Sequence, residues 1–217
     1  MPLLPARKPA DVTEPFRLSY KPVARGGRGA DDSAMEQKAA AYARADLEDP
    51  EDQEDGAEVA PVVLVPPAVE HAEAMAGVLA DPALYAFTGG SPPDVAALRA
   101  RYARQAAGSP DPSVTWVNLL IVAEEGEFAG YVQATVTEAG RRAELAWVVG
   151  TAWQGRGLAR RAVGALAHRL ALGGVRELVA HVHPRHLASR SVARAAGLTP
   201  TLLMVDGEQR WEGRVAP

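Results

Sequence analysis

The chain reads as an α/β protein in which a mixed, mostly antiparallel sheet carries helices on both faces, preceded by a charged N-terminal extension. Three observations point there. Short β-branched runs separated by Gly-bearing turns recur between residues 114 and 149, the pattern of an antiparallel meander. Segments with apolar residues at helical spacing stand before and after those runs. An acidic stretch over residues 46–58 divides this regular pattern from the start of the chain.

Bulk composition sets the class. Of the 217 residues, 47% are hydrophobic and 23% charged, which is ordinary globular usage and supplies a sizeable core. A net charge of -4 argues against a dedicated nucleic-acid binder, which carries a basic excess. The absence of cysteine excludes disulfides, thiolate zinc sites and an enzyme-bound thioester. The first eight residues are too short and too proline-broken for a signal peptide's apolar core, and no window has the length of a spanning helix. A cytoplasmic protein is expected. Lysine occurs only at Lys8, Lys21 and Lys38 against abundant arginine, the bias of a GC-rich bacterial genome.

The elements follow in order. Residues 1–59 form the extension: Phe16, Leu18 and Tyr20 alternate as a short edge strand would, and Ser33 with Glu36 forms a capping box for a helix to about residue 45. A like-charge run such as 46–58 is usually solvated, so the extension is either a loosely ordered tail or a lid or docking arm. The folded domain spans 60–217. Val62 to Val65 is a first strand, stopped by Pro66-Pro67. Residues 68–79 and 95–106 have helical spacing, the second starting after Asp94. Strands are expected over 114–124, 128–136 and 143–149, a helix over 158–172 and a strand over 178–183. A helix over 187–196 then ends at Gly197, and a hairpin over 199–211 turns at Asp206-Gly207.

The chemistry concentrates where the strand ending Trp147-Val148-Val149 runs into Trp153-Gln154-Gly155-Arg156-Gly157-Leu158-Ala159. A helix start leaves several N–H groups unpaired and carries partial positive charge, and glycines let that backbone approach a bulky anion. A diphosphate suits it. Arg156, Arg160 and Arg161 add positive charge for a further phosphate. A structural turn with an arginine-rich face looks similar, so the loop alone is weak evidence. It lacks the Gly-Lys-Ser/Thr ending of a P-loop and the spacing of a dinucleotide fingerprint.

In Gln154, Gly157 and Ala159, the chain resembles the GNAT superfamily of N-acetyltransferases, whose CoA-binding motif spaces Gln or Arg, Gly, and Gly or Ala in this way. Val149 corresponds to the family's valine whose backbone pairs with the pantetheine arm. Downstream, His183-Pro184, Ala188-Ser189 and Ala196-Gly197-Leu198 are similar to the branch containing ribosomal-protein alanine acetyltransferases. The resemblance covers residues 60 to 217. It implies acetyl transfer from acetyl-CoA to a primary amine by direct attack in a ternary complex, with a backbone N–H near Val148 meeting the thioester oxygen. It also implies a CoA site of Val148, Val149, Gln154 to Arg160 (that is Gln154, Gly155, Arg156, Gly157, Leu158, Ala159 and Arg160) and His186, the last standing where the family often has asparagine. A carrier-protein or tRNA-bound acyl donor, and a non-catalytic acyl-CoA sensor, are the alternatives.

Three residues are candidates for the proton work. Glu144 lies on the strand leading to Val149 and is the leading general base, or else a rim carboxylate paired with Arg141 or Arg142. It stands one residue after Ala143, where the histone-modifying branch has its glutamate, so without a bulge it faces the other side of the sheet. Ser189 stands where the ribosomal-protein branch has a serine near the CoA sulfur, so the resemblance implies a proton donor to the leaving thiolate; otherwise it simply caps a helix. His183 is an alternative base. Relatives that use a tyrosine as acid have it where Ala193 stands. His181, His183 and His186 have unusual spacing for a metal triad, and no metal is expected. Trp116, Trp147, Trp153 and Trp211 read as core or rim aromatics. The acceptor, a small-molecule or peptide amine, is expected against the 87–93 loop and the first two helices. A homodimer is allowed; membrane and nucleic-acid partners are not expected.

Overall fold

The computed structural model describes residues 62–123 and 126–216; the extension with its expected strand and helix lies outside them. Among the described residues seven strands form one sheet in the order β1-β2-β3-β4-β5-β7-β6. They are β1 (Val63–Val65), β2 (Thr115–Val122), β3 (Phe128–Thr137), β4 (Arg142–Val149), β5 (Glu177–Val182), β6 (Thr199–Val205) and β7 (Glu208–Arg214). Only β4 and β5 pair in parallel. The α-helices of the described residues are α1 (Ala72–Val78), α2 (Val95–Ala107), α3 (Leu158–Leu172) and α4 (Leu187–Ala195). Among the described residues no helix is long and apolar enough to cross a membrane.

Strand alternation divides the core between two faces. Ala143, Leu145 and Val149 of β4 join Leu178, Ala180 and Val182 of β5 under α3, which turns Ala162, Val163, Leu166, Ala167 and Leu170 onto them. That spacing in α3 is one helical stripe. On the opposite face, Met75 and Val78 of α1 and Leu98 and Tyr102 of α2 pack over Leu120, with Tyr131 and Val148 at the margin. Asp94 caps α2 by accepting the Ala97 N–H at 2.7 Å, as its position before the helix predicts.

The structure differs from the sequence reading at two boundaries. The helix expected over 68–79 divides into a tight 3-10 turn, Val69–His71, and α1. His71 Nδ1 accepts the Ala68 N–H at 3.0 Å, the reach-back bond of a capping box that closes this short turn on itself. The last strand runs three residues past Trp211 because β7 pairs with β5 from Val182–Gln209 to Glu177–Arg214, a long-range ladder with no local signature.

Gly130 fixes the approach of β3 to β4. The β2–β3 register shifts beside it, from Ile121–Gly130 to Val122–Phe128, and a Cβ built on Gly130 would overlap the Val148 carbonyl oxygen. Glycine at such a point marks a bulge or a close backbone approach. Gly130→Ala is expected to destabilise the domain by about 1–3 kcal/mol through overpacking. A lowered urea midpoint with an unchanged slope checks this, and an unchanged midpoint would mean the strands part without strain.

Candidate active site

The site begins where two strands part. β4 and β5 pair from Arg142–Glu177 to Leu145–Ala180, yet β4 continues to Val149 and β5 to Val182. Opposed residues of an antiparallel pair alternate between bonded and unbonded. The Gly150 N–H donates to the Ala129 carbonyl at 2.8 Å, so Val148 and Ala146 turn their backbone groups to β3. Trp147 and Val149 therefore turn theirs away from β3, into the opening. Near Val148, where a backbone donor is expected, the N–H groups directed to the opening are therefore those of Trp147 and Val149, because the register is continuous from Gly130–Val149 to Thr137–Arg142.

One end of the opening is closed by the turn into α3. A Cβ on Gly150 would come within 2.9 Å of the Val78 carbonyl and 3.0 Å of the Trp153 ring, so glycine lets the end of α1 reach this corner. A 3-10 turn, Thr151–Trp153, follows. Gln154 donates its side-chain N–H to the Val149 carbonyl at 2.9 Å, strapping the loop to the strand end. Gly155 and Gly157 take φ of 76° and 70°, and no other residue lies within 4 Å of a Cβ at either. Left-handed backbone, and not crowding, selects glycine there. Gly157 caps α3 without a side-chain bond, and Arg156 and Arg160 are exposed beside it while Leu158 anchors the turn in the core.

Ionisable side chains gather on the α1–α2 face of the parting strands. Glu144 does not pair with Arg142, which instead holds Glu138 at 2.6 Å and Glu177 at 3.0 Å. Its Oε1 lies 2.9 Å from His181 Nδ1, with the two side chains 18% and 11% exposed. In the sequence His181 reads only as part of a metal pattern; the usable signal is an ionisable residue flanked by apolar ones on each of two central strands. Glu208 of β7 joins the group, its carboxyl pushed up by burial, pulled down by His181 and raised again by the charge of Glu144. His183 and His186 both pack against Phe87, whose ring is stacked on His186 at 4.5 Å and tilted against His183 at 5.0 Å. Burial, with the neighbouring charge of His183, holds His186 below the usual imidazole range. His183 Nδ1 accepts the Arg185 N–H at 3.2 Å. Ser189 is half-buried in the first turn of α4, and Ala193 is fully buried. Among the described residues no group of three or more His, Asp or Glu is arranged to hold a metal ion.

Residues 62–199 match the family described as the acetyltransferase (GNAT) domain. The chain belongs to the GNAT acetyltransferase family. The curated proteins contain no match. Among solved structures, an acetyltransferase from Thermus thermophilus is 23% identical with a TM-score of 0.59, covering 72% of this chain and 99% of that one. The microcin C7 self-immunity acetyltransferase MccE, in complex with acetyl-CoA and AMP, is 15% identical with a TM-score of 0.60 over 71% and 93%. Aminoglycoside acetyltransferase AAC(6')-Ib, in complex with ribostamycin and coenzyme A, is 20% identical with a TM-score of 0.58 over 71% and 94%. These likenesses are of fold, and they agree with an open, mostly antiparallel sheet of the GNAT type.

In this GNAT domain the α1–α2 face also carries a tyrosine cluster. Burial pushes the phenols of Tyr131 and Tyr102 up to about 12, opposed in both by the charge of Arg101. An unfolded tyrosine ionises near pH 10, so the folded state holds its phenols neutral more strongly. This contribution to stability is full below about pH 10 and lost as pH rises towards 12. Alkaline titration followed by phenolate absorbance should show a late phase near pH 12, with unfolding midpoints falling above pH 10. Complete ionisation near pH 10 in a still-folded protein would contradict it.

Proposed function

We propose that this chain is an N-acyltransferase that moves an acetyl group, or another acyl group, from a CoA thioester to a primary amine by direct attack in a ternary complex. The observation that carries this is the opening between β4 and β5, ending at a glycine loop that starts α3. The residues fit CoA. Gly155 and Gly157 leave open space beside a helix start, which suits a diphosphate, with Arg156 and Arg160 able to meet a further phosphate. Trp147 and Val149 present backbone groups along the opening, where an extended pantetheine arm can pair as an added strand does. One of their N–H groups would then stabilise the developing oxyanion. His186 lines the β5 side, and its neutral ring can donate one hydrogen bond.

Ser189, in the first turn of α4, is the proposed proton donor to the departing thiolate. The Glu144–His181 pair is the proposed proton sink for the amine. His183 is less suited, because with Nδ1 accepting from Arg185 its neutral ring carries a proton on Nε2. Two carboxylates on the acceptor side, Glu144 and Glu208, favour a cationic amine. The His183 to Leu198 segment supports a peptide N-terminus like those of the ribosomal-protein branch, and the likeness to AAC(6')-Ib supports a small polar amine.

Incubating the protein with acetyl-CoA and a panel of alanine-ended peptides, polyamines and aminoglycosides should give amine-dependent thiol release. Tight CoA binding with no release for any amine would replace the enzyme by an acyl-CoA sensor. Gly157→Val should weaken CoA binding about 10-fold or more, since a branched residue at this left-handed φ costs about 1–2 kcal/mol, while Gly157→Asn should lose less. Equal affinity for wild type and Gly157→Val by calorimetry would remove the diphosphate from this loop.

A further inference from the structure

We infer that His181 is the general base of the acceptor side, taking the amine's proton on Nε2, and that Glu144 is the positioning residue behind it. This rests on the N-acyltransferase reading above. An ionised carboxylate only accepts hydrogen bonds, so the 2.9 Å contact between Glu144 Oε1 and His181 Nδ1 puts a proton on Nδ1. The neutral ring then holds its lone pair on Nε2. That atom is buried and has no hydrogen-bond partner among the described residues. A strap holding β4 to β5 explains the Nδ1 contact but leaves on the far side of the ring an unpaired acceptor, which costs free energy until a donor reaches it.

Position agrees with this role. His181 is the first residue of β5 beyond the last pair with β4, Leu145–Ala180, so it stands at the fork of the opening. Its side chain, like those of Glu144 and Val148, lies on the face opposite α3, whose core takes Ala180 and Val182. The charged groups around it are Glu144 on β4, Glu208 and Arg210 on β7, and His183 two residues on. Arg210, its register partner, is turned to Glu212 at 2.6 Å, and Glu208 interacts with both members of the pair. The surrounding charge therefore favours a cation, first the ammonium and then the imidazolium.

The step balances. Nε2 takes one proton from the ammonium, and the freed lone pair forms the C–N bond at the thioester carbon. Collapse breaks the C–S bond, the Ser189 hydroxyl gives its proton to the thiolate and is reprotonated by the second amine proton, and the imidazolium returns its proton to solvent. In the full chain, His181→Gln should lose about 10²–10⁴-fold in kcat, with CoA affinity unchanged and the acid limb of the kcat/KM profile gone. Glu144→Gln should lose less and keep an acid limb, because the ring that takes the proton is still present. An active wild type in which Glu144→Gln flattens the profile while His181→Gln keeps the limb would make Glu144 the base and overturn the inference. Retention of the wild-type limb in both variants would assign the proton to solvent and overturn it also. Nitrogen NMR of the His181 ring should show the Nδ1–H tautomer, and an Nε2–H tautomer would overturn the assignment without any turnover. Absence of thiol release by wild type with every amine defeats the acyltransferase reading itself, and the inferred base with it.

Discussion

Everything at this site depends on the pairing of β4 with β5 ending early. β4 is tied to β3 along its whole length, from Thr137–Arg142 to Gly130–Val149. β5 is tied just as fully to β7. Each strand thus belongs to its own twisted antiparallel block, and one parallel ladder cannot follow both twists. It holds for four pairs and then yields. A fork in the middle of a sheet exposes backbone donors and acceptors that elsewhere would be spent on a neighbour, and unsatisfied backbone is the part of a protein most ready to bind an amide-bearing chain.

The fork is useful because the chain leaving β4 is bent sharply at its end. Gly150 lets Val78 and Trp153 close on the strand terminus, Gln154 fastens the loop back to Val149, and Gly157 sets the first turn of α3. The geometry of the loop proposed for the donor is therefore coupled to α1, an element of the side proposed for the acceptor. A second tie runs the other way, from Phe87 in the loop before α2 to the His186 ring at the start of α4. Groups that would contact the amine and groups that would contact the thioester are thereby held in one frame, which is how orientation lowers a bimolecular barrier.

Most of this frame was legible in the chain itself. The β-branched runs and turns of residues 114–149 mark three strands to within two residues at each end, and the apolar stripe from Leu158 to Leu170 marks α3 with its buried face. The glycine loop is a local feature and could be read locally. Pairing across distance could not. Nothing near Glu144 announces that a parallel register sets it beside Val179 and so within reach of His181, nor that Arg142 is occupied by Glu138 and Glu177. The same limit hid which backbone groups face the fork, since that depends on which opposed pairs of β3 and β4 are bonded.

Parity settles what first looked like a mismatch at Glu144. A carboxylate at position 143 would lie under α3, among Leu145, Leu166 and Leu178, where Ala143 is fully buried. One residue later, on an unbulged strand, it emerges on the α1–α2 face beside an imidazole. Position 193 follows the same logic. The helix face that in many relatives carries a tyrosine is here packed into the core as a fully buried alanine, and a phenol would not fit without displacing its neighbours. In the proposed mechanism the proton chemistry therefore lies off that helix face, on the strands and the first turn of α4. A base proposed on β4 and β5 would have its distance from the fork set by sheet register, the least compliant coordinate in the domain.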